Sequence, residues 1–340
     1  MKKIIRLFSV VLPLVVLQLN VVAQNDNDNH NDKQKKYEFV KNKTVNKSYN
    51  VSSSDKLKIE NSFGEVEIHT WNKNEIKVDI SIEVSSNIEA SAQKMIDGIT
   101  ISDSKSGSDI HFKTSIKGMD KDKDHNKNEK STMKINYDIS MPASNPLNIS
   151  NEFGSTVVPD FKGEVELSSK FGSLTTGTLT NAKSVSVEFG SAKIESTGGN
   201  VSIKYSSATI GKLVGNVKFT LEFSSATKIN IDNSLTGLDA KVSYSTVNFK
   251  PSSDLSASYD ISTSFGSFKN RTNIKFDGDD DDKGDHGPKF DHSYNGKAGS
   301  GSVPVKIKSS FGKVVLGEPS ADDMKDKDKE KNKSKNKSTT

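Results

Sequence analysis

An aromatic residue followed by a small one recurs along this chain at near-constant spacing. The copies are Phe153, Phe171, Phe189, Tyr205, Phe223, Tyr244, Phe265 and Phe311, separated by 18, 18, 16, 18, 21, 21 and 46 residues. Phe63-Gly64 is a ninth copy, 90 residues upstream. The long last step contains an Asp-rich insertion, and removing about 25 residues of loop restores a step near 20. A period this short suits one turn of a β-coil stacked on the next.

Alternation sharpens the reading. Val185, Val187 and Phe189 share a parity, as do Val201, Ile203 and Tyr205, and Val217, Phe219, Leu221 and Phe223. Alternate side chains of a strand point to opposite faces, so the aromatics are expected to end an inward-facing set. After each aromatic the parity slips by one, and the next apolar residue stands three positions on. These residues are Val66, Leu174, Ala192, Ala208, Ala226, Val247, Phe268 and Val314. A slip at a fixed place predicts a corner or bulge between two short strands.

The corner residue is Gly64, Gly154, Gly172, Gly190, Gly266 and Gly312, but Ser206, Ser224 and Ser245 in the other copies. Serine would be costly at positive φ, so the position asks for smallness rather than a left-handed backbone. Two residues before the aromatic stand Asn61, Asn151, Ser169, Thr263 and Ser309. Stacked on successive coils, these could bond one another as an internal ladder.

The fold class expected is therefore all-β: a β-solenoid of stacked coils of about 16–21 residues, rising about 4.8 Å per coil, so that eight make a rod of roughly 40 Å. The competing reading, a β-sandwich with chance Phe-Gly turns, has to accept nine copies in one parity. Only one segment reads as helical. From Asn87 to Ile99, Ile88, Ala92, Met95, Ile96 and Ile99 recur at helical spacing.

Composition limits function. The chain carries 46 Lys but two Arg, Arg6 and Arg271, and no cysteine. Thiolate chemistry, disulfides and Cys-bound metal are excluded. The formal +4 is concentrated at the ends, and the body is mildly acidic. No coherent basic face with clustered Arg emerges, which argues against nucleic acid.

Residues 1–23 read as a signal peptide: Lys2, Lys3 and Arg6, then the apolar Leu7–Leu19, then Val21-Val22-Ala23 before a cut at Gln24. The alternative is an N-terminal anchor that is never cut. With no second long apolar run, the mature chain is expected to be exported without a transmembrane span, to the periplasm, the cell surface or the exterior. Residues 24–44 read as a disordered leader, 45–145 as an N-terminal β region with the helix, and 146–318 as the repeats. An acidic loop at 277–292 interrupts the repeats, Lys117–Ser131 forms another charged loop, and 319–340 is a disordered charged tail.

Candidate chemistry is sparse. His30, His69, His111, His125, His286 and His292 are the only histidines, and no hydrolase elbow, zinc-protease, dinucleotide or P-loop motif occurs. Asp277–Asp285 has oxygen donors at a density that could attract calcium. It breaks the EF-hand pattern at position six, where Asp282 replaces glycine, and lacks the closing glutamate. It is read as a solvated loop. No catalytic, cofactor-binding or metal residue is assigned.

The run Leu57-Lys-Ile-Glu-Asn-Ser-Phe-Gly-Glu-Val-Glu-Ile68, followed by Trp71 and Ile76–Ile80, resembles the opening of the DUF4097 "putative adhesin" β-strand-repeat family. The order that follows is similar too: a short helix, a strand ending at Met141-Pro142, then the Phe-Gly strands, over roughly residues 45–318. The resemblance implies an exported or membrane-associated β-solenoid without catalysis. The reading is an exported, non-enzymatic, adhesin-like rod that binds a cell-surface polysaccharide or an envelope protein through a polar strand face. The outward set would be Glu166, Ser168, Lys170, Ser186, Glu188, Ser202, Lys204, Lys218, Thr220 and Glu222. The alternatives are an envelope-stress component with a membrane-protein partner and a β-helix enzyme that degrades polysaccharide.

Overall fold

The structure is a computed structural model that describes residues 37–117, 129–225, 227–278 and 290–324. The segment read as a signal peptide, the expected leader up to residue 36, most of the Lys117–Ser131 stretch, most of the acidic stretch, Ala226 and the tail from residue 325 lie outside the described residues.

The rod is an all-β solenoid with one α-helix among the described residues, Glu89–Gly98. Each coil lays one strand in a front wall, turns at the aromatic, and continues into a side wall. The front wall stacks Lys56–Ser62, Leu147–Glu152, Phe161–Lys170 and the later halves of Ser173–Glu188, Ser191–Lys204, Ser207–Glu222 and Thr227–Ser243, all parallel. The side wall stacks Val66–Trp71, Ser155–Val158, the earlier halves of the same long strands, and Thr246–Pro251.

Between the walls lies one apolar core. Ile149, Leu167, Val185, Val201, Phe219, Ala240, Ile307 and Ile261 occupy one inward column, each buried. Asn151, Ser169, Val187, Ile203, Leu221, Val242, Ser309 and Thr263 occupy the next, also buried. The polar members of that column bond across coils at one place, where Asn61 Nδ2 donates to Asn151 Oδ1 at 3.2 Å. Asn61 and Asn151 also donate to the Ile135 and Gly64 carbonyls. Ser169 beside Asn151, and Ser309 beside Thr263, make no such bond, and their hydroxyls are buried without a partner. The internal ladder is confined to the asparagines.

Coil order departs from chain order. The strand Val303–Ser310 inserts in parallel between Thr227–Ser243 and Ala257–Ser264, and Lys313–Gly317 inserts between Thr246–Pro251 and Ser267–Arg271. The Phe311 copy is thus the neighbour of Tyr244, and the Phe265 copy comes after it.

Both ends are capped. At the N-terminal end the hairpin Ile99–Ser106/Asp109–Ile116 covers the front wall, and Ser131–Pro142 covers the side wall. Glu75–Ser86 and then Phe39–Asn50 extend this cap antiparallel. The last strand corrects the leader boundary, since residues 39–44 belong to the sheet. Its half-covered positions include Lys41, Lys43 and Lys47, whose ammonium groups reach Glu89, the Ile99 carbonyl and Asp103. Lysine stems cover an edge while the charge stays wet, so three lysines interrupt the apolar face formed by Phe39, Val45 and Tyr49.

At the other end Asp291–Lys297 pairs antiparallel with Ala257–Ser264, and Phe276–Gly278 pairs with it in turn. Asp277, Gly278, Asp291 and His292 are therefore strand residues, not loop. Phe268, Phe276 and Tyr294 pack together over the last side-wall strand, with ring centroids 4.9 and 5.1 Å from Phe268.

A 3-10 turn, Ala321–Met324, closes this end, so the expected tail from 319 begins with folded residues. The Asp323 side chain is fully buried and accepts from Arg271 Nε at 2.9 Å, Lys269 Nζ at 2.5 Å and the Ser320 amide at 2.9 Å. Arg271, then Lys269, hold its carboxyl well below the ordinary carboxylate range. A depressed folded-state pKa gives stability that is present above the unfolded carboxylate pKa and lost as pH falls toward the folded one. Asp323→Asn is thus expected to melt lower than the parent at pH 7 and at pH 5. The gap should narrow below about pH 4. A gap that stays constant from pH 7 to pH 2 would count against the ionised clamp.

Candidate functional surface

The corner aromatics do not point inward. Phe63, Phe153, Phe171, Phe189, Tyr205, Phe223, Tyr244, Phe265 and Phe311 all adopt left-handed backbone, with φ between 47° and 65°. An extended residue at that position would bury its ring. The left-handed residue swings it to the outside, which produces the slip in parity. Every ring of the set except half-buried Phe63 is exposed, at 44–53%.

The rings stack into a single file along the rod. From Phe63 the order is Phe153, Phe171, Phe189, Tyr205, Phe223, Tyr244, Phe311, Phe265 and Phe290, with centroids 4.7–5.0 Å apart. Ring planes differ by 9° or less except at the last step, where the angle is 19°. Ten rungs at this spacing extend over about 40 Å. Left-handed backbone costs an L-residue about 1–2 kcal/mol, and aromatic pairing returns about 0.5–1.5 kcal/mol per pair. The main chain loses nothing at the corner. Each aromatic N–H still donates to the next coil, as Phe171 does to the Glu188 carbonyl at 3.0 Å.

The small residue follows from the same geometry. A Cβ on Gly154 would stand 1.8 Å from the Gly64 carbonyl oxygen, and one on Gly172 1.8 Å from that of Gly154. Neither glycine has positive φ. Smallness, not handedness, is the demand at the corner, as the serines imply. Those serines also bond along the rod: the Gly190 amide donates to Ser206 Oγ, the Ser206 amide to Ser224 Oγ, and the Ser224 amide to Ser245 Oγ, at 2.9–3.1 Å. The slot expected for Ala226 is filled by Thr227, which is buried opposite Val247.

Beside the ring file the front wall presents polar columns, where the outward set was expected. Glu152, Lys170, Glu188, Lys204 and Glu222 stand side by side on successive strands, followed by Ser243, Ser310 and Ser264. Lys170 lies 3.7 Å from Glu188, and Lys204 3.0 Å from Glu222. The next column reads Ser150, Ser168, Ser186, Ser202, Thr220, Lys241, Lys308 and Ser262. The third reads Asn148, Glu166, Ser184, Asn200, Lys218, Asp239, Lys306 and Asp260. Lys183, then Lys56, lower the Glu166 carboxyl. At the capped end Lys58 and then Lys113 hold Glu60 down at about 2. These carboxylates are ionised partners of lysines rather than proton donors.

The histidines of the strands are dispersed. His69 stands half-exposed 3.5 Å from Asp138, and His111 stands 3.2 Å from Glu60. A shallow cleft near His69 is lined by Glu65, Glu67, Asp79 and Asp138. Among the described residues no three ligating side chains converge on a point. Of the Asp277–Asp285 run only Asp277 and Gly278 are described. Among the described residues no helix is long and apolar enough to cross a membrane.

No family model matches the chain. No curated protein matches it either. Among solved structures it is similar to a "putative adhesin" from Bacteroides fragilis NCTC 9343, with 12% identity, 80% of this chain and 96% of that one covered, and a TM-score of 0.39. It is also similar to a "putative cell adhesion protein" from Clostridium sporogenes ATCC 15579, with 14% identity, coverage of 82% and 100%, and a TM-score of 0.25. A "putative lipid binding protein" from Parabacteroides distasonis ATCC 8503 aligns at 10% identity over 81% and 97%, with a TM-score of 0.28. The functional reading rests on this chain's own surface.

Proposed function

We propose that this chain is an exported, non-catalytic, adhesin-like rod that holds a cell-surface polysaccharide or an envelope protein against its front wall. The observation that carries the reading is the register. Parallel in-phase stacking turns single outward residues into straight columns of hydroxyls and charges, repeated at strand spacing over eight strands. A small substrate calls for a concave pocket with a few convergent polar groups. A repeating polymer or an extended peptide calls for repeated weak contacts whose avidity grows with number.

Within this wall the most cationic stretch is formed by Lys218, Lys241, Lys306 and Lys308 on three adjacent strands, all exposed. It suits the acidic groups of a surface polymer. Lys218→Glu, Lys241→Glu and Lys308→Glu are each expected to weaken attachment to intact cells by a few-fold. The triple variant should abolish it at an unchanged melting temperature. Complete loss from any one of them, with the fold intact, would point to a discrete active site instead.

A further inference from the structure

The ring file has no role in that front-wall reading, and its chemistry selects a different partner. Nine rings expose about half their area, and a side chain of this size carries about 200 Å². The strip therefore offers roughly 900 Å², against the roughly 800 Å² per partner of a standard stable interface. The faces of the rings are already spent on one another, so sugars, which pack on ring faces, meet only edges. The column beside the file alternates in sign, Glu152, Lys170, Glu188, Lys204, Glu222, which gives an anionic lipid surface no net attraction. A partner that keeps contact over all ten rungs has to repeat every 4.7–5.0 Å. Another stack of coils does so.

We propose that two copies of this chain pair ring file to ring file, antiparallel, about a twofold axis perpendicular to the rod. Such an interface is isologous, and it places the alternating column of one copy opposite the same column of the other, reversed. With all ten rungs overlapped, Tyr205 of one copy lies opposite Phe223 of the other. Lys204 then faces Glu222 in both directions, while Glu188, Lys170 and Glu152 face Ser243, Ser310 and Ser264. No like charges meet. A slip of one rung either way loses a contact and sets Lys204 against Lys204, or Glu222 against Glu222. The charge order thus selects the full overlap, and like charges exclude its neighbours.

Light scattering on the full chain alone, from 1 to 100 µM, reads the proposal without any cell-surface ligand. It therefore stands or falls separately from the front-wall reading. The expected mass is that of two chains. Glu222→Lys should raise the dimer dissociation constant about tenfold or more, since it creates two like-charge contacts. Adding Lys204→Glu to it should restore pairing to within about threefold of the parent, as the trans pairs re-form with reversed sign. Circular dichroism melting confirms that both variants fold. A monomer at 100 µM overturns the proposal. So does a dimer indifferent to Glu222→Lys, and so does a monomer that instead co-sediments with neutral phosphatidylcholine vesicles through the ring file.

Discussion

Phe219→Ala is expected to cost about 3–5 kcal/mol, the usual loss for a large aromatic removed from a core. Phe189→Ala should cost less, about 1–3 kcal/mol for two lost stacking pairs. Both rings belong to the repeat array, two coils apart, and their environments are opposite. Phe219 is 1% exposed, with its ring edge-on to Phe249 at 6.0 Å between centroids. Phe189 is 44% exposed, and its contacts in the file are two stacking neighbours. The backbone adds a second distinction. Phe189 sits at φ 54°, so Phe189→Gly should be milder than Phe189→Ala, because glycine relieves the left-handed strain that alanine retains. Urea midpoints for the three variants test this ordering. Equal losses at 219 and 189 would place the ring file in the core.

The second large effect is expected at the corner. Gly172→Ala brings a methyl group to 1.8 Å from one backbone oxygen and 2.8 Å from its carbon. No rotamer relieves a clash with main chain, so the coils have to separate where they hydrogen-bond. The expected loss is about 3 kcal/mol, at the upper end of overpacking penalties. Gly215→Ala is the control. Its φ is 65°, and nothing lies within 4 Å of the added atom, so it should cost about 1 kcal/mol of backbone strain alone. Thermal melts of the two variants separate crowding from handedness. A Gly172→Ala protein as stable as the Gly215→Ala protein would remove the close-approach argument.

The rod was legible because its period is a main-chain property that every copy repeats. Val185 and Val187 do point inward, and Glu188 and Lys204 outward, as alternation requires. The ring file was misread at one step. Alternation holds only while φ stays extended, and Phe189 is where it does not. The slip of one residue before Ala192 was the visible trace of that left-handed residue. Reading it as a bulge left the ring on the wrong side. Coil order was not legible at all, because parity says which way a side chain faces and nothing about which strand lies beside it. Phe311 therefore gave no sign that it precedes Phe265 in the stack. The Asp323 clamp gave none either. An aspartate in a Lys/Asp run looks like every other one until Arg271 and Lys269 close over it.

The inserted coil has a consequence for how the molecule is made. A solenoid laid down in chain order can grow like a spring, each turn templated by the one before and complete as soon as it leaves the ribosome or the export channel. Here Ala257–Ser264 is synthesised with its neighbour missing on the N-terminal side, and the place is filled only when Val303–Ser310 arrives. Until then two edges face each other across a one-strand gap, open to any extended segment that comes by. The strands Val303–Ser310 and Lys313–Gly317 are thus a keystone rather than an appendage. A nascent chain halted near residue 300 would hold a finished N-terminal rod with an unlocked, strand-hungry end.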